Sequence, residues 1–432
     1  MTDRPAYTRR EFLGTSLAIV STTATVPAFL HQSALAVAPQ PGALTVSRPG
    51  VPEDRILVVI ELSGGNDGLN TVVPYGAPEY YKARPVLAVR ENDVIRLNKS
   101  KGLGLHPQMG PLRQMIDDGT AAVVQGVGYP SPNRSHFTSM DIWHTADTTA
   151  NQGVGWIGKA MDHTVDPQHT DGTDCVCIGR NTPLATQGKT VKPISFQNAN
   201  LFRWVGSDLH PLLGDEYDKI NRAGIIIAAA GAAPDDQTAF LMRTALNAQI
   251  ASDRIRNAVA KGPVTRFPGG RLASQLRMVA AMIRAELRTR VYYVSLGGFD
   301  THAAQINSHA NNLGEFARAV NAFYAELKAM GQDSRVLTIA FSEFGRRVQQ
   351  NASNGTDHGT AGPMFIFGDM VRPGLLGEHP SLARLDQGDL IYNVDFRSVY
   401  AAVLDHWLKA DSTAVLGRRF RPANILSPKA LG

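Results

Sequence analysis

The sequence has 432 residues, of which 43% are hydrophobic and 19% are charged, and its formal net charge is +5. This length and hydrophobic content predict a sizeable core, in two domains or in one large α/β domain with an insertion. The Lys and Arg residues are spread along the chain, and the clustered basic patch of a nucleic-acid-binding protein is absent from the sequence. The positive charge is compatible with an anionic substrate.

The first 38 residues have the pattern of an export signal. Arg9 and Arg10 precede a mildly apolar stretch at 17–30, which small-residue cleavage sites follow. This pattern resembles a twin-arginine signal peptide; a disordered arm or a membrane anchor is the alternative. The remainder, 39–432, has no run of about 20 apolar residues that could cross a membrane. We therefore expect a periplasmic or secreted protein without a stable membrane span, whose partner during export is the twin-arginine translocase.

Two apolar runs at the start of the mature chain predict strands that are buried on both faces of a sheet. They are RILVVIEL at 55–62 and AAVVQGVG at 121–128. The segment 106–119 between them has apolar residues on one helical face and ends at a glycine, so it predicts a helix. We expect these three elements to form a βαβ unit.

Strands and helices alternate sharply again in the last third of the chain. The predicted strands are 291–298, 335–345 and 363–368, and the predicted helices are 236–260, 270–290, 314–331 and 395–410. Strands that alternate with helices predict an α/β fold with a doubly wound, mostly parallel sheet.

The segment from about 150 to 270 contains short strand-like pieces and many Gly and Pro residues, so we expect an insertion or a cap there. It holds both cysteines of the sequence, Cys175 and Cys177. At this spacing they can form a strained local disulfide or bind a soft metal. Two small residues of a short strand are the simpler interpretation.

Residues capable of chemistry stand at one edge of the predicted sheet. In open α/β sheets, ligands bind beyond the carboxyl ends of the strands. Each candidate alone also has an ordinary role, as a turn residue, a helix cap or a structural arginine. The candidates that follow or precede the strands are Glu61, Asn66, Asp67, Asn70, Asn133, Arg134, Ser135, His136, Asp300, His302, Ser342, Glu343, Arg346, Arg347, Asp357 and His358.

Carboxylates and imidazoles together are typical ligands of Zn, Mn and similar divalent ions. Two such ions about 4 Å apart can hold a phosphoryl or sulfuryl group between an attacking and a leaving oxygen. Ser135, at a predicted helix start, is a candidate nucleophile, with helix capping as its alternative role. Arg134 and Arg346 can hold an anion through forked donors. His106 and His136 are interpreted as partly buried histidines that form hydrogen bonds.

Four motifs and the leader together resemble the DUF1501 family. The motifs are LVVIELSGGNDGLNTVVPY, NRSHFTSMDIW, GGFDTHAAQ and FSEFGRRVQQNASNGTDHGTAGPMFIFG, and the resemblance to the family extends over nearly the whole mature chain. This family is functionally uncharacterised and is placed in the alkaline phosphatase superfamily, beside sulfatases and cofactor-independent phosphoglycerate mutases. The resemblance implies an alkaline-phosphatase-like fold and a two-metal hydrolase.

Carried onto this sequence, the resemblance implies that Asp300, His302 and His358 bind one divalent ion. Asp67 and Glu343 would bind a second ion or orient the substrate, and Asp357 would complete their set. The superfamily also has a carboxylate at the end of the first strand, where this sequence has Glu61. Ser135 matches the nucleophile, with a metal-bound water as the alternative, and Arg134 and Arg346 would hold the anion.

The sequence departs from the superfamily at its Asp-His-Gly motif, which here is Glu343-Phe344-Gly345. Phenylalanine cannot bind a metal, so one ion, or none, is the alternative to two. Two functions therefore remain open. The first is an exported metal-dependent hydrolase of phosphate or sulfate esters, acting on an anionic small molecule or polymer. The second is a catalytically inactive secreted binding or assembly protein that retains the fold.

Overall fold

The computed structural model describes residues 55–98, 101–149, 153–165, 173–202 and 237–431, together with the short strands Val46–Arg48 and Val51–Pro52 and the single residues Glu216 and Lys219. The predicted signal peptide at 1–38 lies outside the described residues. Within the described ranges, no helix is long and apolar enough to cross a bilayer.

A nine-stranded sheet forms the centre of the described chain. Its strands are β1 (Ile56–Ser63), β2 (Ala121–Gly128), β3 (Cys175–Ile178), β4 (Ile194–Phe196), β5 (Val291–Gly297), β6 (Val336–Phe341), β7 (Gly362–Phe367), β8 (Gly374–Leu376) and β9 (Val394–Asp395). Their order across the sheet is β8-β2-β7-β6-β1-β5-β3-β4, and β9 also pairs with β2. Only β7 among them is antiparallel to its neighbours. The predicted mostly parallel α/β sheet is therefore confirmed.

Helices cover both faces of this sheet. They are α1 (Gly68–Thr71), α2 (Pro78–Ala83), α3 (Gly110–Asp117), α4 (His136–Thr145), α5 (Trp156–Thr164), α6 (Gln237–Ala260), α7 (Arg271–Arg284), α8 (Gln305–Ala329), α9 (Phe396–Ala402, continued as a π-helical turn over Val403–Leu408), α10 (Ser412–Leu416) and α11 (Pro428–Leu431). Successive residues of a strand point to opposite faces. Val58 and Ile60 therefore join a core with α3, α7 and α8, whereas Leu57 and Val59 join one with α4, α5 and α9.

A small three-stranded antiparallel sheet and a hairpin lie outside the main sheet. The small sheet contains Val72–Val73, Ile95–Asn98 and Leu103–Leu105, and the hairpin contains Leu385–Asp386 and Asp389–Leu390.

The order of the strands differs from the predicted βαβ unit. β1 and β2 have the predicted positions in the chain, but β6 and β7 lie between them in the sheet. β6 is buried at all six of its residues and pairs in parallel with β1. The hydrophobic pattern therefore located the strands, whereas the packing of a strand far along the chain decided their neighbours.

The described part of the predicted insertion contributes to the main sheet. β3 pairs in parallel with β5, and β4 continues the sheet beyond β3. Cys175 and Cys177 are buried in β3 as free cysteines, which agrees with the simpler interpretation. A hydrogen bond to Cys177 and burial raise the pKa of Cys175, so this thiol stays protonated. Apart from Glu216 and Lys219, residues 203–236 lie outside the described part.

Candidate metal centre

Three histidines and one aspartate meet at the edge of the sheet where the parallel strands end. His136 begins α4 after β2, Asp300 and His302 follow β5, and His358 lies just before β7. Because β7 is antiparallel, its first residue lies at the edge where the parallel strands have their last. The antiparallel strand thus brings His358 to the other three side chains.

The donor atoms of these four side chains lie close together. Asp300 Oδ1 is 3.0 Å from His302 Nε2, 3.3 Å from His358 Nε2 and 3.4 Å from His136 Nε2. His302 Nε2 and His358 Nε2 are 2.8 Å apart. His136, Asp300 and His358 satisfy the geometry of a group that can hold a metal ion.

The other ring nitrogen of each histidine faces an acceptor. His136 Nδ1 is 2.7 Å from Glu343 Oε1, His302 Nδ1 is 3.1 Å from Asp357 Oδ1, and His358 Nδ1 is 2.7 Å from the carbonyl oxygen of Arg134. A carboxylate or carbonyl oxygen can only accept, so each Nδ1 carries the hydrogen. The Nε2 atom of each imidazole then faces Asp300 Oδ1. This arrangement orients imidazoles in protein metal sites.

The donor set fits a divalent ion. Ligands that lie 2.0–2.1 Å from a tetrahedral zinc are about 3.3 Å from one another, and the four separations above range around that value. His302 Nε2 and His358 Nε2 are also within hydrogen-bonding distance of each other, so the two rings are in direct contact. In addition, His136 Nε2 is buried without a hydrogen-bond partner. His136, Asp300 and His358 therefore match Zn or a similar divalent ion in donor type and spacing, and His302 lies against two of them.

The charges around the centre favour a cation as well. Partial burial acts to raise the pKa of Asp300, but its hydrogen bond to Arg346 and the charge of that arginine lower it to about 2. Burial likewise opposes ionisation of Glu343, but hydrogen bonds from His136, Ser342 and Gly64 hold its pKa below the usual value. Both carboxyl groups are therefore ionised at neutral pH.

Burial lowers the pKa of His358, which keeps its imidazole neutral. The hydrogen bond to Glu343 instead raises the pKa of His136. A metal ion must compete with a proton for His136, so Glu343 both orients this imidazole and makes it a more basic ligand.

The sequence profile of the DUF1501 family, described as a protein of unknown function, matches residues 54–422. The chain belongs to the DUF1501 family. No curated protein matches the sequence significantly.

Several solved structures resemble this DUF1501 chain distantly. A protein of the alkaline phosphatase superfamily from Vibrio parahaemolyticus has 9% identity and a TM-score of 0.40, over 94% of this chain and 77% of that one. The periplasmic domain of EcEptC from Escherichia coli, solved in complex with Zn, has 9% identity and a TM-score of 0.37, over 77% and 75%. The lipoteichoic acid synthase LtaP from Listeria monocytogenes has 8% identity and a TM-score of 0.35, over 90% and 79%. Likeness at this distance carries no information on catalysis.

Of the predicted metal ligands, Asp300, His302 and His358 lie together in this DUF1501 protein, whereas Asp67 forms a different contact. Asp67 and Arg84 are both fully buried, and Arg84 Nη1 is 2.6 Å from Asp67 Oδ2. Burial opposes ionisation of Asp67, but the charge of Arg84 lowers its pKa overall. The carboxylate also accepts a hydrogen bond from Gln305. Its oxygens are therefore directed to an ion pair and an amide instead of the donor cluster.

Glu343 and Asp357, predicted as ligands, contact the Nδ1 side of His136 and His302 instead of the Nε2 side that faces the cluster. Each accepts a hydrogen bond from an Nδ1, so each orients a ligand. Phe344 packs its ring 4.9 Å from that of His136 and 4.8 Å from that of His358. This apolar ring supports the two imidazoles.

Arg346, predicted to hold a substrate anion, is buried and bonded to the protein itself. Its guanidinium donates to the carbonyl oxygens of Gly65 and Thr356, both at 2.7 Å, and to that of Phe299 at 3.1 Å. It also donates to Asp300 Oδ1 at 2.7 Å. The donors of Arg346 are directed into the protein, away from solvent. Arg346 therefore positions Asp300 through this hydrogen bond.

Arg134 and Ser135 remain at the surface beside the centre. The side chain of Arg134 is 37% exposed and pairs with Asp389, and its carbonyl oxygen holds His358. Ser135 is exposed at the N-cap position of α4, and its hydroxyl group makes no capping hydrogen bond. The hydroxyl is thus next in sequence to the ligand His136 and accessible to a substrate.

A cavity of about 540 Å³ lies on the side of the centre where Glu343 and Phe344 contact the histidines, and neither Ser135 nor any of the four donor side chains lines it. Arg134, Glu343, Phe344 and Asp389 are among the residues that line it. Its volume is in the usual range for small-molecule sites, so it can hold the organic part of a substrate.

His136 is the member of the cluster that the sequence did not predict as a ligand. Its signal was its place at a helix start after a strand, directly beside Ser135. The carboxylate that orients it, Glu343, is 207 positions away. Glu61, the other predicted carboxylate, accepts a hydrogen bond from Tyr293 at 2.6 Å and lies 3.3 Å from His144 Nε2.

Proposed function

We propose that this protein is an exported metal-dependent hydrolase of phosphate or sulfate esters with one divalent ion at its centre. The observation that supports it is the convergence of three imidazole Nε2 atoms and one carboxylate oxygen, each imidazole being oriented through its Nδ1. Zn, Mn or a similar ion is the expected cofactor. A bound ion supplies Lewis-acid polarisation of an ester oxygen.

In this proposal Ser135 is the nucleophile. Its hydroxyl oxygen loses its proton to solvent and forms a bond to the phosphorus or sulfur atom while the bond to the ester alcohol breaks, and the alcohol leaves with a proton from solvent. Water then releases the phosphate or sulfate from the serine. The N–H groups in the first turn of α4 lack helical acceptors and favour an anion beside Ser135. Arg134 adds a positive charge at the same edge.

The expected substrate is an anionic ester, either a small molecule or a polymer, whose organic part enters the 540 Å³ cavity. Export by the twin-arginine translocase is part of the proposal and depends on Arg9 and Arg10. Replacement of both residues by lysine should keep the protein in the cytoplasm, as measured by cell fractionation. Unchanged export would contradict this route.

Elemental analysis coupled to a panel of phosphate and sulfate esters tests the central claim. We expect the wild-type chain to retain one divalent ion, His136→Ala and His358→Ala to lose it, and His163→Ala to retain it. His163 is an exposed histidine on α5 and is the matched control. Ser135→Ala should keep the ion and lose hydrolysis. Metal content that stays the same in His136→Ala and His358→Ala would refute the centre.

A catalytically inactive secreted binding or assembly protein that retains the fold is the second candidate. Phe344 favours it, because an apolar ring packs against both histidines where the superfamily motif supplies a further ligand. The same panel separates the two functions. A chain that retains its ion and hydrolyses no phosphate or sulfate ester would support the binding protein.

A further inference from the structure

A single buried amide, that of Gln305, joins three segments around the metal centre. Gln305 begins α8 and is fully buried. Its Oε1 accepts hydrogen bonds from Thr301 Oγ1 at 3.0 Å and from Thr356 Oγ1 at 2.6 Å. Its Nε2 donates to Asp67 Oδ2. The amide group therefore has partners on both of its ends.

Two of these partners belong to the loops that carry the ligands. Thr301 lies between Asp300 and His302, and Thr356 lies two positions before His358. The backbone N–H of Thr356 also donates to the carbonyl oxygen of Thr301 at 3.2 Å. Because one amide oxygen accepts both hydroxyl groups, it links the two loops at positions next to their ligands, beside the backbone hydrogen bonds that also join them.

The third partner fixes the direction of the amide. Asp67 is an acceptor, so the NH₂ group of Gln305 must face it and the carbonyl oxygen must face the threonines. Asp67 itself is held by Arg84, whose Nε and Nη2 donate to the carbonyl oxygens of Val348 at 3.0 Å and Arg347 at 2.9 Å. The chain of contacts from Arg84 through Asp67 to Gln305 thus gives the two loops a rigid support.

We propose that Gln305 is a positioning residue of the metal centre, which sets the spacing between Asp300, His302 and His358 without contacting the ion. This inference rests on the metal centre of the proposed function. Partners beyond the ligands change metal affinity by about 10- to 100-fold when they are removed. Loss of the amide removes the shared acceptor of both loops, so we expect an effect of that size.

The test compares Gln305→Met with Gln275→Met in the full chain. Gln275 also bridges two elements, since its Nε2 donates to Ser295 O at 3.0 Å and its Oε1 accepts from Ser295 N at 3.0 Å. Its partners do not lie in the ligand loops, so it is the matched control. Zinc affinity is measured by competition with a chromophoric chelator, and the thermal midpoint is measured after treatment with a chelator.

We expect Gln305→Met to raise the Kd for Zn²⁺ by about 10- to 100-fold and Gln275→Met to leave it unchanged, although both lower the thermal midpoint. Thr301→Val and Thr356→Val each remove one hydroxyl donor and keep the side-chain shape. They provide the same measurement if Gln305→Met does not fold, and each should raise the Kd.

The positioning role would be overturned if every Gln305 and threonine variant that folds had the wild-type Kd for Zn²⁺. If His358→Ala still lost zinc in that case, the proposed function would remain intact. A wild-type chain that binds no Zn²⁺ would overturn both. An equal loss of affinity in Gln275→Met would show a general effect of stability, and this result would also overturn the role of Gln305.

Discussion

Replacement of Glu343 by glutamine removes the charge behind His136 and keeps the shape of the side chain. Glu343 is 1% exposed and accepts hydrogen bonds from His136 Nδ1 at 2.7 Å and from Gly64 N at 2.9 Å, both at Oε1. Its Oε2 is 2.9 Å from Ser342 Oγ. In the glutamine variant, the carbonyl oxygen can keep the first two contacts and the NH₂ group can face Ser342. The geometry is therefore preserved while the charge is lost.

The size of the effect follows from these contacts. A hydrogen bond to a charged group contributes about 1.5–3 kcal/mol and one between neutral groups about 1 kcal/mol, so the His136 contact loses about 1 kcal/mol or more. The pKa of His136 also falls, because its hydrogen bond to the carboxylate is the main cause of its raised value. Each 1.4 kcal/mol is a tenfold change in Kd, so the loss of this contact predicts a zinc Kd that is about 5- to 30-fold higher, comparable with the removal of other partners of metal ligands.

Zinc titration against a competing chelator at pH 7.5 measures this change, and Glu326→Gln is the control. Glu326 is also a buried carboxylate, and it accepts hydrogen bonds from Val264 N at 2.7 Å and from Thr265 N at 2.6 Å, apart from the metal centre. We expect Glu326→Gln to lower the thermal midpoint without changing the zinc Kd. A wild-type zinc Kd in Glu343→Gln would refute the argument that Glu343 orients a ligand.

Asp67→Asn leaves Arg84 buried without its ion pair and should lower the free energy of unfolding by about 3–5 kcal/mol at pH 7. Because the pKa of Asp67 is lowered in the fold, this stabilisation is present above the unfolded value of about 3.9 and is lost as the pH falls through the folded value. Urea denaturation at several pH values checks it, and a difference between wild type and variant that grows toward acid pH would contradict it. Gly64→Ala should weaken zinc binding and lower the thermal midpoint, because Gly64 has φ +117° and a Cβ there would lie 2.4 Å from the backbone nitrogen of Asp300. Gly297→Ala, which meets nothing within 4 Å, should leave zinc binding unchanged, and equal effects in both variants would refute the close approach.

Much of the fold could be predicted from local pattern. The strands β1, β2, β5, β6 and β7 lie within a residue or two of the predicted runs at their starts. Each is a continuous apolar stretch between polar or glycine-rich turns, which is the pattern of a strand buried on both faces. The order of the strands in the sheet could not be predicted in this way. β6 pairs with β1 across about 280 positions of sequence, and the apolar side chains of the strands do not specify which strand lies next to which.

The site could be predicted in part. Asp300, His302 and His358 were expected at the carboxyl edge of the sheet, and the structure brings them together there. Their roles depend on partners that lie far away in sequence. Glu343 lies behind His136, and the guanidinium of Arg346 lies inside the fold on backbone carbonyl groups.

The sequence by itself determined the α/β class, the family and the edge where polar residues collect, because hydrophobic period and motif spacing are local properties. The tertiary structure alone decided that β7 runs antiparallel and presents His358, that His136 completes the donor set, and that Asp67 pairs with Arg84. The physical reason is burial. A charged side chain removed from water must find a partner wherever the fold provides one. The chain provides the candidates, and packing selects which of them become ligands and which support the ligands.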